Sequence, residues 1–175
     1  MPGLIIEGGR PLSGTVPMSG AKNSVLKLLA ATVLAPGQYQ VENVPHISDV
    51  EWMCDTLRAI GSEVSWNGDS ALSVITGEEV APDLPLGLVG KMRASTALMG
   101  PLLARTGEAR ISMPGGDDFG TRPIDLHLAG LEQLGAKFEQ SSELIIGRAE
   151  RLVGTTVVLD YPSVGATENI LLAAT

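Results

Sequence analysis

The 175-residue sequence predicts an α/β (α+β) fold assembled from repeats of one βαβαββ-type unit. Three observations carry that expectation. Two segments, "AKNSVLKLLAATVLAPGQYQVENVP" from Ala21 and "KMRASTALMGPLLARTGEARISMPG" from Lys91, run through the same order of periodicities about 70 residues apart. Each is followed by a second helical pattern ending in Leu-x-x-apolar-Gly, "LRAIG" at Leu57–Gly61 and "LEQLG" at Leu131–Gly135. A third copy opens near Gly154 with "TTVVLD" and "PSVGATENILLAAT".

Taken in order, residues 1–18 read as amino-terminal strands and residues 19–175 as one domain. Repeat one spans about 19–80, repeat two about 88–150, and a truncated repeat three about 151–175. In repeat one an Ala/Leu-rich helix starts beside Lys22 and gives way after Gly37 to the alternating strand "YQVENV". The second helix closes on Gly61, a residue suited to a left-handed C-cap, and the strands "EVSW" and "ALSVI" follow. Repeat two has a helix from Lys91, the strand "ARISM", a helix opened by Arg122-Pro123 and closed by Gly135, and the strands "AKFEQ" and "ELIIG". Repeat three aligns with repeat one in two ways, through Gly-Ala or through "LLAAT". Helix formers continue to Thr175 without Gly, Asn or Pro to end them, so the third unit reads as incomplete by about fifty residues. An unfinished repeat leaves an apolar face exposed, which predicts poor solubility.

Composition narrows the function classes. Hydrophobic residues make up 44% of the chain and aromatics 3%, so the core is aliphatic. A net charge of −8 excludes a basic footprint for non-specific nucleic-acid binding while leaving room for a local cationic pocket. Cys54 stands alone, which rules out an internal disulfide, and no Cys/His spacing suggests zinc. The start "MPGLIIEGGR" has no signal-peptide layout, and no apolar run nears the ~20 residues of a membrane span, so the reading is a soluble cytoplasmic protein.

The residues with chemistry gather at helix starts and in one loop. Lys22 and Asn23 lie at the start of the first helix, where backbone N–H groups favour anions; a solvated lysine on a first turn is the plainer alternative. The repeat offset sets Asn23 opposite Arg93, so two repeats present polar or cationic groups at equivalent helix starts. Repeat two carries four extra residues, and they fall in "MPGGDDFGTRP", Met113–Pro123. That loop is neither a P-loop nor an EF-hand; an acidic surface turn, a cation site and a catalytic lid with a proton donor all stay open. Asp125 sits where a carboxylate favours the helix dipole, His127 reads as a packed or surface residue, and Cys54 as a small core residue.

These motifs together resemble the enolpyruvyl transferases. The markers are "SGAKNSVLKLLAATVLA", "MRAS…GPLLAR", "PGGDDFGTRPIDLHLAGLEQLGA" and "PSVGATENILLAAT", in order over the whole chain. Ala-Lys-Asn, where the members acting on shikimate 3-phosphate carry a Ser-Lys-Ser type motif, favours the branch that uses UDP-N-acetylglucosamine. The resemblance implies an inside-out α/β barrel of βαβαββ repeats, with about two and a half repeats present. A second domain, to which the first strand normally belongs, would complete the cleft. It also implies transfer of the enolpyruvyl group of phosphoenolpyruvate to the sugar 3′-hydroxyl with release of phosphate, and no metal or cofactor. Other readings are an acceptor that is another uridine nucleotide or shikimate 3-phosphate, or a non-catalytic remnant.

By the same resemblance Lys22 and Asn23 match phosphoenolpyruvate-binding positions. Arg93, then Arg122, Pro123, Ile124, Asp125 and Leu126, then Ser163, Val164 and Gly165 match positions that hold the sugar nucleotide. Tyr161 stands where many members carry a lysine at the start of that last segment, so that one contact does not carry over. Asp117 stands where most members carry the cysteine that donates a proton and is alkylated by fosfomycin. A carboxylic acid does the same work if exclusion of water or a neighbour such as Asp118 raises its pKa. The expectation is a fosfomycin-insensitive enzyme, inactive as this fragment because the family's aspartate that deprotonates the sugar hydroxyl lies in the other domain.

Overall fold

Each of the first two repeats builds its own three-stranded antiparallel sheet in the computed structural model, which describes residues 3–84, 87, 93–112 and 124–175. In repeat one β1 (Gly37–Val41), β2 (Glu63–Asn67) and β3 (Ala71–Thr76) lie in the order β1-β3-β2. In repeat two β4 (Glu108–Ser112), β5 (Lys137–Gln140) and β6 (Leu144–Arg148) lie in the order β4-β6-β5. The register repeats as well. Leu72 faces both Val41 and Trp66, and Ile145 faces both Ile111 and Gln140. Leu72 and Ile145 are fully buried, so one face of each sheet is core and the other meets solvent.

The helices fill the space between. Helix α1 (Lys22–Ala31) packs on α2 (Ser48–Ala59) and on a 3-10 segment (Arg93–Leu98) that continues as α3 (Met99–Thr106). That segment and α3 pack on α5 (Val164–Ala174), which also contacts α4 (Asp125–Gln133). Leu26, Leu29, Met53, Leu57, Leu98, Leu102 and Leu103 are fully buried, so the core is largely helix on helix with the sheets outside. This is the inside-out arrangement that the family resemblance implies.

The Leu-x-x-apolar-Gly endings are paired Schellman motifs. The Ser62 N–H donates to Leu57 O at 2.9 Å and the Ala136 N–H to Leu131 O at 3.1 Å. Both require the intervening glycine at positive φ, 106° at Gly61 and 104° at Gly135. Replacing either glycine by alanine places a Cβ in that region and is expected to cost about 1–2 kcal/mol, read from the midpoint of urea unfolding. The chain leaves both helices alike, with the Ala81 N–H on Ile60 O at 2.9 Å and the Val153 N–H on Leu134 O at 2.8 Å. The first exit strap then joins the second sheet, because Arg110 N–H donates to Pro82 O and Leu84 N–H to Arg110 O, each at 2.9 Å.

Three expectations need correction. The first helix of repeat two does not start as an α-helix: it is 3-10 from Arg93 to Leu98. Pro101 has no N–H to give Ala97, and its ring opposes α geometry in the preceding turn, so the regular helix begins only at Met99. Residues 3–18 form no strand; Leu4 and Leu12 are over 90% exposed, and no described strand lies beside them to accept their backbone bonds. "TTVVLD" also forms no strand. Its Val157 and Leu159 are half-buried, while the Gln133 carboxamide accepts from Val158 N–H at 3.3 Å and donates to Val158 O at 3.4 Å. One side chain of α4 thus stands in for a neighbouring strand. Leu28 and Leu171 are exposed on α1 and α5.

Cys54 is buried, and desolvation, opposed in part by Arg58, pushes its thiol up to about 11. A thiol reagent at pH 8 is therefore expected to modify Cys54 no faster than the chain opens, and at full speed in denaturant. No helix among the described residues is long and apolar enough to cross a membrane.

Candidate active site

Of the residues singled out by sequence, the site candidates that the structure describes sit at the starts of four helical segments. Lys22 and Asn23 form the first turn of α1, exposed, behind the N-cap Ala21, which offers no side-chain bond to that turn. The Lys22 Nζ lies 3.4 Å from Asp49 Oδ1 at the start of α2. Half of the Lys22 side chain is exposed, so water screens this pair and its worth is at most about 1 kcal/mol. A phosphate or carboxylate arriving at the uncapped turn competes with Asp49 on easy terms.

Ile124 is the buried N-cap of α4, Asp125 its exposed first residue, and Leu126 is half-buried. Ser163 is the N-cap of α5, its Oγ accepting from the Ala166 N–H at 3.3 Å, and Val164 is exposed. Gly165 lies against the imidazole of His127; a Cβ there would stand 3.3 Å from both Cε1 and Nε2. The starts of α4 and α5 are therefore in contact, and Ile124–Leu126 and Ser163–Gly165 share one corner of the domain. Arg93 begins the 3-10 segment that packs on α5.

Helix α1 reaches α5 through one ion pair. Lys27 Nζ pairs with Glu168 Oε2 at 2.6 Å, partly buried. Lys27 is the sixth residue of α1 and Glu168 the fifth of α5. Sequence reasoning did not single out this pair.

It also missed Asn169, which is fully buried and joins three elements. Its Oδ1 accepts from the Gly100 N–H at 2.8 Å, its Nδ2 donates to Thr96 O at 3.0 Å, and the same Nδ2 lies 3.1 Å from His127 Nδ1. The bond to Gly100 satisfies a helix-start N–H that has no partner within α3. The visible signal is an asparagine inside the apolar run "ENILLAA", where burial demands hydrogen-bonding partners. His127 is packed, in line with its sequence reading.

Asp117, Asp118, Arg122 and Pro123 lie outside the described residues, as does the side chain of Arg93. No group of three or more His, Cys, Asp or Glu able to hold a metal occurs among the described residues. A cavity of about 740 Å³ opens at the C-terminal ends of α3 and α5, lined by Arg105, Glu108, Arg148 and Thr175. It lies at the opposite end of those helices from the starts gathered above.

Comparison with known proteins gives the family of the chain. The sequence model of the EPSP synthase (3-phosphoshikimate 1-carboxyvinyltransferase) family matches residues 6–175. The chain is 50% identical over 171 residues to UDP-N-acetylglucosamine 1-carboxyvinyltransferase 2 of Carboxydothermus hydrogenoformans, covering 98% of this chain and 41% of that protein. It is 47% identical over 171 residues to the UDP-N-acetylglucosamine 1-carboxyvinyltransferase of Mycobacterium tuberculosis, with the same coverage. The chain thus spans about two fifths of the length of the curated relatives it matches. Among solved structures, the enolpyruvyl transferase NikO of Streptomyces tendae superposes with a TM-score of 0.78 at 27% identity, over 95% of this chain and 39% of that one. EPSP synthase of Acinetobacter baumannii gives 0.71 at 18% identity over 91% of this chain and 37% of that one, a likeness of fold alone.

Proposed function

We propose, because the chain belongs to the EPSP synthase family, that it forms the catalytic-loop domain of an enolpyruvyl transferase using UDP-N-acetylglucosamine. The enzyme would move the enolpyruvyl group of phosphoenolpyruvate to the sugar 3′-hydroxyl and release phosphate, the committing step of peptidoglycan synthesis in the cytoplasm. The observation that carries the substrate choice is the name shared by relatives 45–50% identical across 98% of the chain. The meeting of Ile124–Leu126 with Ser163–Gly165 supports it, because two segments assigned to one nucleotide have to lie side by side.

The chemistry gives each residue a task. Lys22 and Asn23, at the uncapped start of α1, bind phosphoenolpyruvate through its anionic groups. Asp117 gives its proton to carbon 3 as the sugar oxygen attacks carbon 2 and its own proton passes to a base. The product is a tetrahedral ketal. Loss of a carbon-3 proton then breaks the bond to phosphate and restores the double bond. Arg93, Arg122–Leu126 and Ser163–Gly165 hold the nucleotide so that the 3′-hydroxyl meets carbon 2. The base for that hydroxyl and the opposite wall of the cleft belong to a second domain. Neither metal nor organic cofactor enters this scheme.

Calorimetric titration of this chain tests the nucleotide assignment without requiring turnover. Heat with millimolar UDP-N-acetylglucosamine and none with shikimate 3-phosphate is expected. The reverse pattern would move the chain to the shikimate branch, and silence with both would leave it without a nucleotide site.

A further inference from the structure

We infer that Asn169 is a positioning residue for the sugar-nucleotide site, locking His127 in one tautomer and, through it, setting the three nucleotide-contacting segments in register. The inference rests on the reading of the preceding subsection for the identity of the ligand, and on the geometry alone for the lock.

The orientation of the Asn169 carboxamide is settled by two backbone groups that have no choice of role. The Gly100 N–H only donates, so the atom 2.8 Å from it is the carboxamide oxygen. The Thr96 carbonyl only accepts, so the atom 3.0 Å from it is the nitrogen. With one N–H on Thr96, the second N–H of the same Nδ2 points at His127 Nδ1, 3.1 Å away. That ring nitrogen therefore accepts and carries no proton. His127 is neutral, and its ring proton is on Nε2, the edge that lies against Gly165. A proton on Nδ1 would set N–H against N–H inside a fully buried site.

Each arm of this junction ends at a different binding segment. Thr96 and Gly100 belong to the stretch begun by Arg93, and His127 lies in the first turn of α4 directly after Ile124–Leu126. Asn169 itself lies on α5, less than two turns from Ser163–Gly165. The partners of Asn169 on the other two segments lie 42 to 73 residues from it in sequence, and all meet at this one side chain. A buried carboxamide with donors and acceptors assigned in this way permits one relative placement, as a network satisfied at every member does. Preorganisation of a nucleotide site requires that property.

Nitrogen-15 spectra of the histidine rings in the 175-residue chain at neutral pH test the lock. His127 is expected to show an unprotonated, hydrogen-bonded Nδ1 and a proton on Nε2; a proton on Nδ1 overturns the inference, with no variant needed. Asn169→Asp removes both N–H donors and offers a carboxylate, so the proton is expected to move to Nδ1 and UDP-N-acetylglucosamine affinity to fall at least about tenfold, as misplacement by about an ångström does. Binding is read from the amide signals of Leu126 and Gly165 in parent and variant. Equal affinity in the two, with the parent binding, overturns the positioning role alone. A parent whose Leu126 and Gly165 signals do not respond to UDP-N-acetylglucosamine overturns the nucleotide reading, and the positioning role falls with it.

Discussion

Asp117→Asn, in an enzyme carrying both domains, is expected to lower kcat by about 10²–10⁴-fold while leaving UDP-N-acetylglucosamine binding near its original strength. That range is what a positioned general acid contributes. The side chains are nearly isosteric, so the loop keeps its shape and loses only the transferable proton. Asp117→Cys is the informative companion. It restores a proton donor, so turnover is expected to recover in part, and it supplies the thiolate that an epoxide attacks. The parent enzyme is expected to resist fosfomycin and the cysteine variant to be inactivated. Cys54 offers no second target, since it is buried with its thiol held protonated. Full activity of Asp117→Asn, or rapid inactivation of the parent by fosfomycin, would remove Asp117 from the mechanism.

Gly100→Ala is expected to destabilise the chain by about 1–3 kcal/mol, the usual cost of forcing extra atoms into a packed site. A Cβ at Gly100 would overlap the backbone oxygen of Asn169 and come within 2.6 Å of its Oδ1. Neither can be relieved by a side-chain rotation, because the first is main chain and the second is held by Gly100 itself. The change pushes α3 and α5 apart at the point where the carboxamide joins them. Thermal or urea unfolding measures the cost, and loss of nucleotide binding before loss of folding would trace the same damage to the site. A midpoint unchanged from the parent would mean that the helices do not meet there.

What the sequence made legible, and what it did not, follows from the reach of the forces involved. Gly61 and Gly135 were readable because a left-handed helix end is a requirement of one residue and its near neighbours. The two sheets were readable because alternation is local and occurs twice in the same order. The 3-10 start of repeat two was only half readable. Pro101 announces a break, but the side chain that takes the Gly100 N–H and bonds the Thr96 carbonyl, Asn169, lies 69 residues further along the chain from Gly100. The stretch "TTVVLD" has strand chemistry without a strand beside it, and propensity cannot report a missing neighbour. Among site residues, those at helix starts stood out by type and repeat offset. Asn169, Lys27 and Glu168 did not, since their partners come from other repeats and no short motif contains both ends.

The family resemblance assigns most of its ligand contacts to helix starts. Anions favour uncapped N-termini such as that of α1, and the 3-10 segment and α4 both pack on α5. Repeating the unit multiplies such termini around one space. In the sequence, the four-residue expansion of the second unit falls between Arg93 and Ile124.

The decisive measurement is phosphate release from phosphoenolpyruvate by this sequence extended to the length of its relatives, with UDP-N-acetylglucosamine or shikimate 3-phosphate as acceptor. Release that depends on UDP-N-acetylglucosamine, yields its 3′-enolpyruvyl ether and disappears with Asp117→Asn is the predicted result. Release driven by shikimate 3-phosphate, or none with either acceptor from a folded protein, would contradict it.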